Sequence, residues 1–373
     1  MDFTYTEEQQ MLLDTTKRFV AKDYSFDTRR QIKEKSQGGF SREVWQGFAD
    51  LGLLALNVPE EYDGMGGTAI DTMLVMGAMG EGLVLEPFLA SAVMGTKAIV
   101  ALGTDAQKTA LLPRLAAGEA IVVLAHDETA TRYDWNAVQT RAWSVGDGFV
   151  LTGHKCVIVH GASADVLLVT CRLPNEAIGI FAVPRDAGGL RIVPYVTIDG
   201  VPGAEVWLDQ VYVSASTLMD GAADTEARLG EILDAGLAAV CAEAVGALDR
   251  LLAATVEYAR TRKQFGVQIG KFQALQHRMA DMVLHIEQAR SMAYLATVRC
   301  GEKDPAIRMR AMSAAKVIIG QACRFVGQQA VQLHGGMGVT DELDVSHYFK
   351  RLMAIELQFG STDTHLERYA DSL

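Results

Sequence analysis

The chain has 373 residues, of which 49% are apolar and 21% charged, and its 46 acidic and 34 basic side chains give a net charge of −12. This length exceeds what one hydrophobic core usually supports, so we expect two or three sub-domains or one multi-layer unit. The apolar content excludes a disordered chain. An acidic balance without a basic block argues against nucleic acid or an anionic membrane as the main partner.

Several other classes are excluded by what the sequence lacks. No stretch reaches the roughly 18 uninterrupted apolar residues of a membrane helix, and the first residues have neither a basic nor an apolar signal region. The five cysteines form no C-x-x-C pair, and the eight histidines show no metal-ligand spacing. We therefore expect a cytoplasmic protein without a disulfide framework or a metal site.

The first third of the chain has a helical pattern. Thr6-Glu7-Glu8-Gln9 is a capping box ahead of an apolar stripe, which predicts a first helix. Four more helices are predicted at 41–53, 70–82, 88–102 and 105–116. The segment 64–69 formally matches the dinucleotide fingerprint G-x-G-x-x-A, but no buried strand precedes it. We interpret it as a surface loop.

From about residue 120 to 217 the pattern changes to short apolar runs separated by turn residues. Val145-Gly146-Asp147-Gly148 is a hairpin signal between strands at 140–144 and 149–152. Further strands are predicted at 157–159, 166–170, 178–183, 190–193 and 206–213. Their number and spacing predict a small barrel or sandwich.

The last third of the chain is helical again. A long Ala-rich helix is predicted over 232–259, another within 266–300 and a third over 306–333, and shorter helices follow Thr340 and Thr362. Long Ala-rich helices in sequence predict a closely packed bundle.

Two segments near the ends of these helices carry chemical information. The first is Arg262-Lys263-Gln264-Phe265-Gly266 with Gln273 soon after, and the second is Gln332-Leu333-His334-Gly335-Gly336-Met337-Gly338. Each alone is also explained as a helix end, because basic residues complement the helix dipole and glycines terminate helices. Together they provide a guanidinium for pyrophosphate, side-chain amides, and glycines that let backbone N–H groups approach a phosphate. A flavin dinucleotide requires this combination.

These segments, with Pro59-Glu60-Glu61-Tyr62 and the three-part layout, resemble the acyl-CoA dehydrogenase family over essentially the whole chain. The resemblance implies an α+β fold that is mainly α. Its expected parts are an N-terminal α-helical domain at 1–118, a middle β-barrel domain at 119–218 and a C-terminal four-helix domain at 219–373. It also implies FAD held between subunits and oxidation of an acyl-CoA thioester to the 2-enoyl-CoA.

The resemblance also implies which residues contact FAD. It assigns the ADP part, on one subunit, to Arg262, Phe265 and Gln273. It assigns contacts from a neighbouring subunit to Gln332 and Gly336, in the loop that also contains Gly335. Two further positions match residues that contact FAD after the family's catalytic loop, and these are Thr362 and Thr364.

The sequence departs from the family at the catalytic base. Most members carry a Glu in a Tyr-Glu-Gly-Thr loop near the C-terminus, and Gly360 takes its place here. Some relatives place the base on the first long C-terminal helix, where the matching residue is Gly236. Neither standard position is a carboxylate.

Two other carboxylates are candidates. Glu243 stands alone in the apolar run 235–248, on roughly the same helical face as Gly236, and a desolvated carboxylate suits a general base. The alternative is a Glu paired with an Arg or Lys of a neighbouring helix. Asp363 is close to Gly360, but its alternatives are solvent exposure or helix capping.

Other departures concern the middle domain. The family's Thr-Glu-Pro-x-Ala-Gly-Ser-Asp loop corresponds to residues 126–134, where Arg132 adds a positive charge, and Val159 replaces a hydroxyl that commonly contacts the flavin ring. The sequence looks most like a subgroup that includes the pimeloyl-CoA dehydrogenase small subunit and subunits of heterotetrameric steroid-side-chain dehydrogenases. In such assemblies one subunit can lack the base and complete its partner's FAD site.

The resemblance therefore implies an FAD-dependent acyl-CoA dehydrogenase, or its smaller subunit, acting on a dicarboxylyl-, branched or steroid-derived acyl-CoA. The alternative is a catalytically silent FAD-binding and structural subunit of an α2β2 complex, and a third reading is a flavin oxidase on the same fold. The implied partners are an acyl-CoA substrate and an electron-transfer flavoprotein as acceptor. The implied assembly is a homotetramer or dimer, or a heterotetramer with a larger paralogous subunit.

Overall fold

The computed structural model describes residues 4–36, 38–221 and 224–373. Most of these residues are in helices, as helical periodicity and capping residues predict. Backbone contacts divide the chain into two compact units. The first comprises Met1–Arg30, Ala69–Val84 and Leu237–Leu373, and the second comprises Gln31–Thr68 and Leu85–Gly236. These units do not follow the three predicted segments, whose boundaries stay a prediction.

The first helix, α1 (Glu7–Asp23), begins at the predicted capping box. The Gln9 main-chain N–H donates to Thr6 Oγ1 at 3.2 Å, and the Thr6 N–H donates to Gln9 Oε1 at 3.2 Å. The other α-helices before the sheet are α2 (Phe26–Lys35), α3 (Arg42–Asp50), α4 (Ala69–Gly82), α5 (Thr96–Leu102) and α6 (Asp105–Ala116). The sequence pattern does not predict α2, because eight of its ten residues are polar or charged and form no apolar stripe.

The helix predicted over 88–102 is divided into two types. Phe88–Gly95 is a π-helix and only the residues from Thr96 onward are α-helical. The wider turns pack directly on a strand: the Val122 N–H donates to Ser91 Oγ at 3.1 Å. A Cβ at Gly95 would lie 2.2 Å from the Val122 carbonyl oxygen, so this approach requires glycine.

The strands between residues 122 and 214 form a seven-stranded sheet, the middle sheet, which is a half-barrel. Its strands are β1 (Val122–Ala125), β2 (Arg141–Val145), β3 (Gly148–Lys155), β4 (Val166–Arg172), β5 (Ile178–Pro184), β6 (Leu190–Val196) and β7 (Pro202–Ser214). The order is β1-β4-β2-β3-β7-β6, with β5 antiparallel to β4. The predicted hairpin is confirmed, since β2 and β3 pair antiparallel with Val145 opposite Gly148.

The strand predicted at 157–159 is wrong. β3 ends at Lys155, and Val157 has a φ of 53°, in the left-handed region that interrupts a strand. Ile158 still exchanges two main-chain hydrogen bonds with Ala204, each 3.0 Å long. The segment is therefore held beside β7 without continuing β3.

The C-terminal part has the predicted long helices. They are α7 (Thr225–Thr261), α8 (Gln273–Arg299), α9 (Pro305–His334), α10 (Asp344–Leu357) and α11 (Thr362–Ala370). A two-stranded hairpin of β8 (Lys263–Gln264) and β9 (Val267–Gln268) lies between α7 and α8. The predicted α-helical C-terminal domain is confirmed.

Glycines allow α4 and α7 to approach closely. A Cβ at Gly80 would lie 2.0 Å from the Glu243 carbonyl oxygen, and a Cβ at Gly246 would lie 1.9 Å from the Gly77 carbonyl oxygen. No side chain fits at either position, so backbone packs on backbone. This contact fixes the part of α7 that carries Glu243.

Within the described residues, no helix is both long and apolar enough to cross a membrane. The same residues contain no group of three or more His, Cys, Asp or Glu side chains that could hold a metal ion. The five cysteines lie within the described residues and form no disulfide there.

Candidate active site

The first candidate flavin segment follows the end of α7. Ile269 donates its main-chain N–H to the Arg262 carbonyl at 2.9 Å, which closes the β8–β9 hairpin. Its turn residues, Phe265 and Gly266, have φ values of 54° and 81°, as a two-residue hairpin turn requires. The Phe265 side chain is 91% exposed. The turn therefore holds an aromatic ring outward, and Arg262, at the start of the hairpin, is exposed as well.

The second candidate segment follows the end of α9. Gly335 ends the helix with a φ of 60°, and a short 3-10 helix, Gly335–Val339, follows. A Cβ at Gly335 or at Gly336 would meet no atom within 4 Å, and both residues are exposed. The side chain of Gln332 is also exposed. This open backbone can be approached by a phosphate or a ribose.

The ends of α7 and α9 lie together. The Tyr258 ring stacks on the His334 ring with 4.3 Å between centroids and 28° between planes. Tyr258 is four residues before Arg262, and His334 is one residue before Gly335. One chain therefore presents both candidate segments at one end of its bundle, although the resemblance implies that they reach FAD from two subunits. Gln273, the first residue of α8, is exposed and follows the same hairpin.

The features at this end fit the ADP part of FAD. A guanidinium binds pyrophosphate, an exposed ring stacks on a flat group, and the glycine backbone leaves room for a phosphate. Thr362 and Thr364 lie elsewhere. Thr362 packs on Gly320 of α9. Gly320 is 14 residues before His334, so about 21 Å of helix separates Thr362 from the end of α9.

Thr362 and Thr364 are engaged in capping the start of α11. Thr362 donates its main-chain N–H and its hydroxyl to Glu356 Oε1 at 3.1 and 2.8 Å, and its side chain is buried. The Thr364 N–H donates to the hydroxyl of Ser361, the N-cap residue, at 3.3 Å. Asp363 is exposed in the first turn of α11, where the helix dipole favours a negative charge.

Glu243 has a partner, as the alternative for it anticipates. Its side chain is buried on α7, and Arg351 of α10 holds both carboxylate oxygens. Arg351 Nε donates to Oε1 at 2.6 Å and Nη2 donates to Oε2 at 2.8 Å. This two-point ion pair has the ideal geometry for guanidinium and carboxylate.

The turn around Gly360 is held by a buried network that the sequence pattern does not reveal. The Lys316 ammonium, which is 0% exposed, donates to the carbonyl oxygens of Glu356 at 2.8 Å and Gly360 at 2.7 Å. Burial lowers the pKa of Lys316. Arg324 donates to Glu356 Oε1 at 3.0 Å. Burial alone would raise the pKa of Glu356, but hydrogen bonds from Thr362 and nearby positive charges hold it below its usual value.

A signal for this network is present in the sequence. Lys316 is a single charge inside the apolar run of α9, and Glu356 is a single charge in the last turn of α10. A buried charge requires a partner, so both residues could have been identified as network members. What could not be read is which groups they bind.

A second buried network supports the loop that matches the family's middle-domain motif. The Lys155 ammonium, also 0% exposed, donates to Glu128 Oε1 at 2.6 Å, to Thr170 Oγ1 at 2.9 Å and to the His126 carbonyl at 3.3 Å. Thr140 donates its hydroxyl to the same carboxylate oxygen at 2.6 Å. These hydrogen bonds therefore anchor the loop to β3 through Lys155 and to β4 through Thr170.

Burial controls the charges in this loop. It lowers the pKa of His126 to about 3 and raises the pKa of Asp127 to about 6. Arg132 is exposed and has a φ of 50°, and Val157, in the segment that matches the flavin-facing residues, is 51% exposed. Val159 is half-buried and offers no hydroxyl there.

Comparison with known proteins agrees with this fold. Three family models match successive parts of the chain: the acyl-CoA dehydrogenase N-terminal domain at residues 6–119, the middle domain at 124–211 and the C-terminal domain at 228–373. The chain is 31% identical to the probable acyl-CoA dehydrogenase YngJ of Bacillus subtilis, over 97% of each chain.

Solved structures with this fold include the ChsE4–ChsE5 complex from Mycobacterium tuberculosis. The match has a TM-score of 0.89 and 27% identity, and covers 100% of this chain and 98% of that chain. A glutaryl-CoA dehydrogenase from Mycobacterium smegmatis, solved in complex with FADH2, shares the fold with a TM-score of 0.89 and 22% identity, over 99% of this chain and 95% of that chain. This chain therefore belongs to the acyl-CoA dehydrogenase family of FAD-dependent oxidoreductases.

Proposed function

We propose that this chain is an FAD-binding subunit of an acyl-CoA dehydrogenase whose catalytic base is supplied by a partner subunit. The observation that carries the proposal is position 360, where a glycine takes the place of the family's usual Glu. The other standard position, Gly236, also has no side chain to act as a base. Removal of a weakly acidic α-proton needs a positioned base, so one must come from elsewhere.

The ion pair of Glu243 makes it a poor base. Both Glu243 oxygens accept hydrogen bonds from Arg351, so the ion pair fixes the position of the carboxylate. Both partners are largely buried, so the loss of either one would leave an uncompensated charge. We therefore expect Glu243 to position α10 against α7.

Asp363 is a poor base for a different reason. It is exposed in the first turn of α11. A general base must be positioned against its substrate, whereas Asp363 faces solvent and interacts with the helix dipole.

FAD binding is supported by the residues that this chain retains. Arg262, Phe265 and the Gly335–Gly336 backbone are all open to a ligand at one end of the bundle. FAD, when bound, supplies the hydride acceptor. The chain's own task is to hold the ADP part in place through the guanidinium, the ring and the glycine backbone.

The substrate class and the partners follow from the subgroup that the sequence resembles. We propose a dicarboxylyl-, branched or steroid-derived acyl-CoA, a larger paralogous subunit that carries the base, and an electron-transfer flavoprotein as acceptor. The ChsE4–ChsE5 complex, whose fold this chain shares, is likewise named for two chains. A homo-oligomer is the alternative assembly.

The visible spectrum of the protein purified alone tests this proposal. We expect either a colourless protein or a flavin band near ~450 nm that no acyl-CoA bleaches without oxygen. Butyryl-CoA, octanoyl-CoA and pimeloyl-CoA serve as probes. Rapid anaerobic bleaching by any of them would overturn the proposal, because the chain would then contain its own base.

The second candidate function is a self-sufficient dehydrogenase with Glu243 as base, and the retained flavin segments favour it. If bleaching occurs, Glu243→Gln and Asp363→Asn form a matched pair of variants. Loss of bleaching only in Glu243→Gln would identify Glu243 as the base. Oxygen consumption with the same probes would identify the chain as a flavin oxidase.

A further inference from the structure

The turn between α10 and α11 has an unusual backbone at the position that lacks the base. Phe359 has a φ of 62° and Gly360 a φ of 115°, so two successive residues are in the left-handed half of conformational space. A φ near that of Gly360 is rarely adopted by any residue with a Cβ. The turn is also buried at Gly360.

A second obstacle to a side chain at this position is the ring of His365. A Cβ built on Gly360 would lie 2.7 Å from His365 Nε2 and 3.0 Å from Cδ2. Real Cβ atoms do not approach ring atoms so closely, so the ring fills the volume that a residue-360 side chain would enter.

The ring cannot easily move away, because both of its nitrogens are engaged. Nε2 is 3.0 Å from the Phe359 carbonyl oxygen, and Nδ1 is 3.2 Å from Ser313 Oγ. A carbonyl only accepts, so Nε2 carries the proton and the Ser313 hydroxyl donates to Nδ1. His365 is 2% exposed, and burial lowers its pKa to about 4, which keeps this neutral arrangement at pH 7.

Lys316 holds the other side of the same turn. Its two hydrogen bonds go to the carbonyls of Glu356 and Gly360, and neither bond depends on a side chain at position 360. The turn is thus fixed from α9 by the ammonium and from α11 by the imidazole.

We propose that His365 is a positioning residue that closes position 360, so that glycine is obligatory there and the turn cannot carry a base while this ring is in place. The inference rests on the proposed function, since it explains why the base must come from a partner. It goes further in one respect: the loss of the carboxylate is built into the packing around Gly360. Replacing Gly360 alone is therefore insufficient to restore a base.

A stability cycle tests the contact between His365 and position 360 directly. The variants are Gly360→Ala, His365→Ala and the double variant, with Gly146→Ala as control. Gly146 also has a positive φ, 59°, but a Cβ there meets no atom within 4 Å. We expect Gly360→Ala to lower the melting temperature by at least about twice as much as Gly146→Ala. His365→Ala should recover about half of that excess in the double variant.

Additive effects in this cycle would overturn the proposal, because additivity means that the ring and the new methyl group do not collide. Coupling supports it whether or not the protein binds FAD. The cycle therefore decides the role of His365 independently of the proposed function.

A pair of gain-of-function variants provides a second measurement, which would not change if His365 had only a structural role. The chain loaded with FAD is compared as Gly360→Glu and as Gly360→Glu with His365→Ala, using anaerobic bleaching by the same three acyl-CoA probes. We expect bleaching in the double variant to exceed that in the single variant by roughly 100-fold, the contribution of a positioned general base.

Bleaching that occurs in both variants at the same rate would overturn the role of His365. Coupling in the stability cycle without bleaching in the double variant would retain that role and count against the acyl-CoA part of the proposed function. If the Gly360→Glu variant is insoluble and the double variant is soluble, the result supports the proposal. If both are insoluble, the alanine cycle decides.

Discussion

Two buried lysines serve this molecule in different ways. Lys155 in the middle sheet and Lys316 in α9 are both 0% exposed. The Lys155 ammonium meets the carboxylate of Glu128 at 2.6 Å. Lys316 instead donates to two main-chain carbonyls, while the nearby carboxylate of Glu356 accepts from Arg324 and Thr362.

The difference shows what each network preserves. An ion pair between side chains fixes the identity of both residues, because loss of one leaves an uncompensated buried charge. An ammonium bound to carbonyls fixes the course of the backbone and places no demand on the side chain at that position. The turn at Gly360 can therefore keep its shape although it has lost the family's usual Glu.

The substitution Lys155→Met should break the first network with the largest effect. Glu128 would remain buried without its ammonium, and we expect the free energy of unfolding to fall by about 3–5 kcal/mol. Denaturant unfolding measures this. Arg141→Met in the same sheet is the control, since Arg141 and Glu176 form an exposed pair and its loss should cost about 1 kcal/mol or less. Equal losses for the two variants would contradict the ion-pair account.

Each network also contains a neutral buried histidine, which gives the comparison a pH dependence. The folded pKa of His365 is about 4, below its ordinary value of 6.5. Below pH 6.5 the unfolded chain binds a proton that the folded chain binds only near pH 4. The free energy of unfolding is therefore unaffected by this group above pH 6.5, and it decreases by roughly 3 kcal/mol as the pH falls from 6.5 to 4.

The measurement is the unfolding free energy of the wild type and His365→Asn between pH 7 and 4. The wild type should lose stability relative to the variant over this interval. For His126, whose folded pKa is about 3, the same loss should continue further into acid. A difference between wild type and His365→Asn that does not change with pH would show that the ring titrates in the folded chain at its ordinary pKa.

The substitution Lys316→Met should break the second network at a smaller cost of roughly 2 kcal/mol, because two charge-assisted hydrogen bonds are lost while the penalty for burying an ammonium is removed. Its signature is local. The main-chain N–H of Gly360, which donates to the Leu357 carbonyl at 3.2 Å, should exchange with solvent faster.

Lys350→Met is the matched control for that experiment. Lys350 belongs to the same bundle, but it pairs with Asp341 at 2.7 Å, and 29% and 68% of the two side chains are exposed. Its loss should leave exchange at Gly360 unchanged. If Lys316→Met also leaves that exchange unchanged, the lysine does not hold the turn.

The smallest effect is expected for Asp363→Asn, at about 0.5 kcal/mol. Asp363 contributes only its interaction with the dipole of α11, because it is exposed in the first turn. FAD binding should be the same in the variant and the wild type. A flavin spectrum that changes in Asp363→Asn would place this carboxylate near the cofactor.

Local signals in the sequence predict much of the fold. The capping box at Thr6 predicts the start of α1, and the Val145–Gly148 signal predicts the β2–β3 hairpin. Both depend on residues within four positions of each other. The flavin segments are also local, so their residues could be named, and their roles stay a prediction.

Interactions between distant residues could not be predicted. Glu243 and Arg351 are 108 positions apart, and nothing in either segment identifies the other as a partner. The left-handed φ of Val157 could not be predicted either, since a β-branched residue favours a strand and the backbone conformation is set by the bonds of its neighbour Ile158 to the distant Ala204. Candidate bases could thus be located by motif but could not be judged until their neighbours were known.

The close approach of α4 and α7 has a consequence for how variation in this chain will be interpreted. Gly80 and Gly246 have no room for a methyl group, because a Cβ at each would lie 2.0 and 1.9 Å from a carbonyl oxygen of the other helix. A saturation-mutagenesis survey will therefore rank both glycines among the least tolerant positions. Their intolerance will look like that of catalytic residues, although it reports only on the spacing of two backbones.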